Sequence, residues 1–144
     1  MFVVDTNILL YAADEDAPEY PACIRLLETW REEADPWHVT WNVLYEFMRV
    51  VTHPRVKPRP WSLQGATDFV DAVMESPSLS VLSHTVNHLA VLQRCADEIP
   101  AAKGNLIFDF HTAVLMREHG IRRVYTNDMD FHRFPWVEVV NPLA

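Results

Sequence analysis

The 144-residue chain carries 12 Lys and Arg against 20 Asp and Glu, a formal net charge of −8, and 49% of its residues are hydrophobic. That is one domain's worth of chain, able to bury roughly two-thirds of its unfolded surface without a disulfide or metal staple, and no apolar run approaches the length of a membrane span. The N-terminal apolar run breaks at Asp5 with no basic residue before it, so no signal peptide is expected and the chain reads as cytoplasmic.

The acidic surplus argues against a plain phosphate-binding surface, because affinity for phosphate comes from Lys and Arg. It suits a basic protein partner. A cluster of acids holding divalent cations would invert the local field, and the local sign would then matter more than the sum. Cys23 and Cys95 fall singly among apolar residues, with neither zinc-ligand nor disulfide-framework spacing, and read as inert core thiols.

In chain order, Phe2 to Val4 reads as a short buried strand ending at Asp5, and Ile8 to Ala12 as the helix that carries the chain away. Asp14-Glu15-Asp16 reads as a solvated loop. Pro18 and Pro21 suit the start of a second helix, where a missing donor costs little. Its stripe is Tyr20, Ile24, Leu27 and Trp30, and Asp35-Pro36 ends it. Trp37 to Thr40 is a second strand, followed by a third helix with Trp41, Leu44, Tyr45, Met48 and Val51 inward and Glu46 and Arg49 off that stripe. Between His53 and Pro60, three prolines forbid regular structure and expose Arg55, Lys57 and Arg59.

Ser62 can cap a fourth helix with Leu63, Ala66, Phe69 or Val70, and Val73 inward. Leu79 to Leu82 is a third strand, and Thr85 to about Asp97 a fifth helix burying Leu89, Leu92 and Ala96. Leu106 to Phe108 runs into Asp109, and a sixth helix continues to His119, where Gly120 supplies a left-handed stop. Arg123 to Thr126 is a fourth strand, Asn127 to Phe134 a polar loop, and Val137 to Val140 a fifth strand. Without repeats or linkers, residues 1–144 read as one α/β domain with a largely parallel sheet.

Four acids stand out: Asp5 ends the first strand, Glu46 lies early in the helix after the second, Asp109 opens the sixth helix, and Asp128 follows the fourth strand. If the fourth strand pairs beside the first where the winding reverses, Asp5 and Asp128 share one crevice. Such a cluster needs a cation, since two carboxylates about 4 Å apart repel by roughly 4 kcal/mol at an effective dielectric near 20. Hard cations such as Mg2+ or Mn2+ take oxygen ligands. Each acid also has a plainer account. Asp5 and Asp109 could be helix caps, Glu46 could pair with Arg49, and Asp128 could serve a turn.

These motifs resemble the PIN-domain family, and specifically its VapC-type ribonuclease toxins. The matching stretches are Phe2 to Asn7, Trp41 to Glu46, Gly104 to Asp109, Thr126 to Phe131 with Arg133 to Pro135, and Asn141-Pro142. The family's acidic quartet maps onto Asp5, Glu46, Asp109 and Asp128, with Asp130 as the alternative fourth acid and Thr6, Asn7 and Thr126 as supporting candidates. Phe110-His111 departs from the small residue often found after the third acid. The resemblance implies magnesium-dependent endonucleolytic cleavage of RNA, with Mn2+ able to substitute, a sheet ordered 3-2-1-4-5, a homodimer and a cognate antitoxin. Cleavage would be hydrolytic, with Asp5, Asp109 and Asp128 holding metal and Glu46 completing the cluster or taking a proton from water.

Arg49, Arg55, Lys57, Arg59 and Arg133 are candidates to steer the substrate, Trp61 to stack a base, and Trp30, Trp37 or Trp136 to serve a dimer or antitoxin face. His111 and His132 lie near the acids in sequence and read as structural or RNA-contacting. His84 and His88 have zinc-pair spacing, but no third ligand is evident. Two enzyme-free readings compete: a signalling receiver, which needs a phosphoacceptor after the third strand and a lysine near the last where this chain has Leu82-Ser-His-Thr and no Lys after Lys103, and a catalytically silent PIN-like module, which would be expected to have lost an acid. Another metal-dependent phosphohydrolase built on Asp128-x-Asp130 would leave Asp5 and Glu46 unexplained.

Overall fold

The strand Phe2–Val4, β1, is buried along its whole length and forms the centre of the sheet in the computed structural model, which describes residues 1–144. The other strands are β2 (Trp37–Thr40), β3 (Leu79–Leu82), β4 (Arg123–Tyr125) and β5 (Glu138–Val140). Their order is β3-β2-β1-β4-β5 and every neighbouring pair is parallel. Phe2 pairs with Trp37 on one side and Arg123 on the other.

Parallel crossovers are right-handed, so the direction of travel decides which face each helix covers. From β1 to β3 the chain steps one way, through α1 (Thr6–Ala13), α2 (Tyr20–Glu32), α3 (Trp41–Thr52) and α4 (Leu63–Met74). From β3 to β5 it steps back, through α5 (His88–Glu98), α6 (Leu106–Glu118) and a short 3-10 helix, Met129–Arg133. The result is a helical layer on each face. Alternation along β1 serves both layers: Phe2 and Val4 join one core with Cys23, Trp30 and Phe47, while Val3 joins the other with Cys95, Phe110 and Phe131.

Aromatic packing dominates the first core. Phe47 is fully buried and stacks on Phe69 with ring centroids 4.6 Å apart, while Trp61 meets both rings edge-on at 5.9 and 5.8 Å. Each such side chain contributes about 1.5–3 kcal/mol by leaving water. Trp30 and Trp37 belong to the same core, with 5% and 0% of their surface exposed. Trp136 is half-buried, donates from Nε1 to the Ala113 carbonyl at 2.8 Å, and lies under the Arg117 guanidinium. None of these three tryptophans offers a free docking face, contrary to the reading from sequence.

Helix existence follows the apolar spacing, and Ser62 caps α4 by accepting from Gly65 N as expected. Which face turns inward differs in three helices. α3 buries Val43, Leu44, Phe47 and Val51 and leaves Trp41 and Tyr45 at 50% and 66% exposure. Two apolar stripes overlap on this helix at helical spacing, and the one carrying Val43, Phe47 and Val51 packs inward against α1 and α4. In α4, Leu63 is exposed while Ala66 and Val73 are buried; in α5, Leu89 and Ala96 are exposed and only Cys95 is fully buried. The polar stretch after β4 contains the 3-10 helix rather than an irregular loop.

α6 ends in a Schellman arrangement. Gly120 N donates to the Arg117 carbonyl at 3.2 Å and Ile121 N to the Met116 carbonyl at 2.8 Å, with Gly120 at φ +70°. A Cβ added at Gly120 would meet nothing within 4 Å, so an alanine there suffers from backbone strain alone. Gly120→Ala is expected to cost about 1–2 kcal/mol in urea unfolding, and Gly120→Asn clearly less. Equal losses for the two would mean that the left-handed backbone is not the constraint.

Candidate functional site

The winding reverses between β1 and β4, and the carboxyl ends of those strands open into a crevice. Asp5 N donates to the Tyr125 carbonyl at 3.1 Å, which carries the ladder to the crevice floor. Asp5 occupies the N-cap position of α1 in extended conformation, yet its side chain makes no capping hydrogen bond. Its Oδ2 instead accepts from Thr126 Oγ1 at 2.8 Å and from Asn7 Nδ2 at 3.3 Å. The capping account of Asp5 is thereby removed.

Thr126 is wholly buried and ties the floor together. While donating to Asp5, its hydroxyl accepts from Asn7 Nδ2 at 3.0 Å and from Asp128 N at 2.9 Å. Glu46 projects from α3 and its Oε2 accepts from Thr6 Oγ1 at 3.0 Å, so Thr6, Asn7 and Thr126 all support an acid. No ion pair joins Glu46 to Arg49. Asp109 is the fourth residue of α6, behind an N-cap at Asn105, so it neither opens nor caps the helix. Asp128 does turn chemistry as well, accepting from Asp130 N on Oδ1 at 2.9 Å at the head of the 3-10 helix.

Carboxylate oxygens of Asp109, Asp128 and Asp130 lie within 4.8 Å of one another. Asp5 sits behind them, 6% exposed. Both candidates for the fourth position therefore reach the cluster. The acids open into a groove of about 850 Å³ lined by Asn42, Tyr45, Glu46 and Arg49 of α3 and by Asn105, Leu106, Phe108 and Asp109 of α6, with Asp128 and Asp130. Asn42, Tyr45 and Phe108 were not singled out from sequence. The α3 wall follows an i, i+3, i+4, i+7 pattern that includes Glu46, and that spacing was the available signal.

Of the five basic candidates, Arg49 lines the groove and Arg133 approaches Asp130 at 3.9 Å. Arg55 and Arg59 are exposed on the proline-rich loop outside it, and Lys57 Nζ is engaged by Asp14 Oδ2 at 2.6 Å. Asp14 is correspondingly not just a solvated loop acid. Trp61 packs in the core and presents no stacking face to the groove. His111 leaves the acids altogether: its Nε2 lies 2.9 Å from His84 Nε2, and with His88 the three imidazoles form a separate group. The third histidine beside the His84–His88 pair lies 27 residues from His84 in sequence.

Burial pushes the Asp5 carboxyl up to about 6, reinforced by the charges of Glu46 and Asp128 and opposed by the Thr126 hydrogen bond. Asp109 is pushed up to about 7, first by burial and then by Asp5, Asp128, Glu46 and Asp130. Both shifts express one fact: negative charge is crowded where water cannot relieve it. An oxygen-only donor set of this kind matches hard divalent cations.

A model of the PIN domain family matches residues 2–137. Ribonuclease VapC43 of Mycobacterium tuberculosis is 33% identical over 143 residues, covering 99% of this chain and 96% of its own. Ribonuclease VapC37 of the same organism is 31% identical over 144 residues, covering 100% and 99%. Among solved structures, M. tuberculosis VapC20, described as a sarcin-ricin loop cleaving toxin, aligns with a TM-score of 0.68 at 19% identity over 96% of this chain and 98% of that one. VapBC2 from Rickettsia felis, bound to a promoter DNA fragment, aligns with a TM-score of 0.68 at 17% identity over 97% of each chain. At those identities the structural likeness speaks to the fold.

The raised carboxyls make stability depend on pH in a definite sense. Both folded-state values lie above the ordinary 3.8, so the folded protein holds these protons more tightly than the unfolded chain. The penalty is absent below about pH 4, grows through pH 6 to 7 and is complete above that. In chelator, Asp109→Asn is expected to raise the melting temperature at pH 8 by roughly 3–6 °C and to give no gain at pH 4. An equal gain at both pH values would show that charge is not what the substitution relieves.

Proposed function

The chain belongs to the PIN domain family, and on that footing we propose that it is a magnesium-dependent endoribonuclease, the toxin of a VapBC-type toxin–antitoxin pair. One observation carries the reading: Asp5, Asp109 and Asp128 gather with Glu46 at a sheet crevice, where burial first and the neighbouring acids second push the Asp5 and Asp109 carboxyls up to about 6 and about 7. Further support comes from curated relatives named as VapC ribonucleases across nearly the whole chain. The partner reading leans on fold relatives such as the VapBC2 assembly.

The donor set fits a divalent cation of the magnesium type, with Asp109, Asp128 and Asp130 as the nearest oxygens and Asp5 behind them. When bound, the ion would neutralise the acids, take oxygens of the substrate phosphate and lower the proton affinity of water. Glu46 is held on Oε2 by Thr6, and its other oxygen is free to accept the proton of an attacking water. That water adds in line to phosphorus, the bond to the 3′ oxygen breaks, and the products carry 5′-phosphate and 3′-hydroxyl ends. The 2′-hydroxyl takes no part.

Arg49 stands one turn beyond Glu46 on the same helix and lines the groove, where it would hold a backbone phosphate. Tyr45 and Phe108, 66% and 58% exposed on opposite walls, are suited to stack unpaired bases. They replace Trp61 in that role. A homodimer and an antitoxin complex complete the proposal, with the exposed aromatics of α3 as contact candidates.

The deciding experiment incubates RNA with purified protein, in magnesium or in chelator, and sequences the 5′ ends. Discrete new 5′-phosphate ends that require both the metal and Asp5 are expected, with none from Asp5→Asn. Glu46→Gln should lower the cleavage rate by about 10²–10⁴-fold. At limiting magnesium, cleavage should fall as pH drops through the 6–7 region, where protons compete for Asp5 and Asp109. Folded, antitoxin-free protein that yields no new ends would instead be a silent binding module.

A further inference from the structure

Outside the acidic groove, three histidines from three separate segments converge. His84 lies just beyond β3, His88 opens α5, and His111 stands in the second turn of α6. Their ring centroids are 4.2, 5.2 and 6.2 Å apart. One ring nitrogen from each lies within 4.8 Å of the other two. We infer that His84, His88 and His111 form a second cation site, suited to zinc-type divalent metal and separate from the acidic groove.

Two features distinguish this group from a chance meeting of imidazoles. The first is that ring nitrogens face one another: His84 Nε2 and His111 Nε2 are 2.9 Å apart. A neutral imidazole has one N–H and one lone pair; the His84–His111 contact uses one of each, so the ring nitrogen that His88 brings to them finds no free proton on either facing nitrogen. A cation is the complement.

The second is an orienting carboxylate. The Glu118 side chain is 1% exposed, and its Oε2 lies 2.6 Å from His88 Nδ1. Its Oε1 accepts from Thr85 N at 2.8 Å and from Thr85 Oγ1. With a proton fixed on Nδ1, His88 keeps Nε2 as its lone-pair nitrogen. Carboxylates hold metal-binding histidines in this way. A His88–Glu118 pair serving only the fold would be complete by itself and would not call for His84 and His111.

The geometry lies within reach of a tetrahedral ion. Zinc with nitrogens about 2.0–2.1 Å away separates its ligands by about 3.3 Å. The His84–His111 separation of 2.9 Å is slightly shorter and the remaining ones extend to at most 4.8 Å. Rotation of the exposed His84 adjusts its two separations, and a turn of the His111 ring would adjust the third. Three protein ligands would leave a fourth position for water.

Donor chemistry sorts the two sites. Imidazole nitrogen favours zinc-type metals, and carboxylate oxygen favours magnesium. Asp109 and His111 are two residues apart on α6, about 200° around the helix, so each site has its own face of the same helix. An ion held by the histidines would tie the β3–α5 connection and the start of α5 to α6. α5 fully buries only Cys95 and otherwise rests on partly buried Val91 and Leu92 and on the Glu98–Arg117 pair.

The test is a zinc titration of the tag-free, metal-stripped full chain in excess magnesium, read by chelator competition and by the visible spectrum of a Co2+ substitute. One equivalent per chain is expected, with a tetrahedral Co2+ spectrum and a raised melting temperature. His84→Ala, a change at an exposed side chain, should weaken zinc binding by at least about 100-fold, and Glu118→Gln by about 10–100-fold. Asp109→Asn should keep the equivalent. Far-UV circular dichroism establishes that each variant is folded, and if Glu118→Gln is not, His84→Ala alone decides. The proposal is overturned if no zinc binds in excess magnesium, or if bound zinc survives His84→Ala and is lost in Asp109→Asn.

Discussion

The Thr126 hydroxyl has one proton and two lone pairs, and all three are used at the junction of β1 and β4. The proton goes to Asp5, and the lone pairs take the Asn7 amide and the Asp128 backbone. Two segments far apart in sequence, residues 5–7 and residues 126–128, are thereby fixed to one buried oxygen atom. Asp5 gains its strongest donor, Asp128 is aimed into the groove, and the start of α1 is pinned to the end of β4. Without that atom, a carboxylate 6% exposed would lose the hydrogen bond that partly offsets its burial.

Charge acts here by position rather than by total. A net charge of −8 gives a poor account of a protein that handles polyanions, yet the acids responsible for the crevice repel one another more than they repel a distant phosphate. What they share is a field that one small cation can reverse. The groove walls then need few basic residues, and Arg49 is the one that lines them. Arg55, Lys57 and Arg59, conspicuous in the sequence, decorate a loop outside the groove, and Lys57 is neutralised by Asp14.

Legibility in the sequence followed the range of the forces involved. Strand positions were readable because short apolar runs bounded by turn residues are local signals; Trp37–Thr40 and Leu79–Leu82 fall where expected. Asp5, Glu46 and Asp128 were readable because each comes soon after a strand, and Asp109 because it stands near the head of a helix. Helix faces were less so, since α3 carries two apolar stripes and only tertiary packing selects Phe47 over Trp41 and Tyr45. Trp61 looked like a stacking platform for the same reason: its partners Phe47 and Phe69 come from two different helices. The histidine group was invisible, because the 27-residue separation of His84 and His111 has meaning only once α5 packs on α6.

The sheet also keeps the two thiols apart. Cys23 lies in the core on one face and Cys95 in the core on the other, each with 0% exposure. No intramolecular disulfide can form while the sheet stands between them, so oxidation has no way to cross-link the native fold. Burial further raises both thiols above their ordinary value and keeps them unreactive. Each cysteine becomes available only when its own helical layer lifts from the sheet, which makes the pair a built-in record of which half of the molecule has opened.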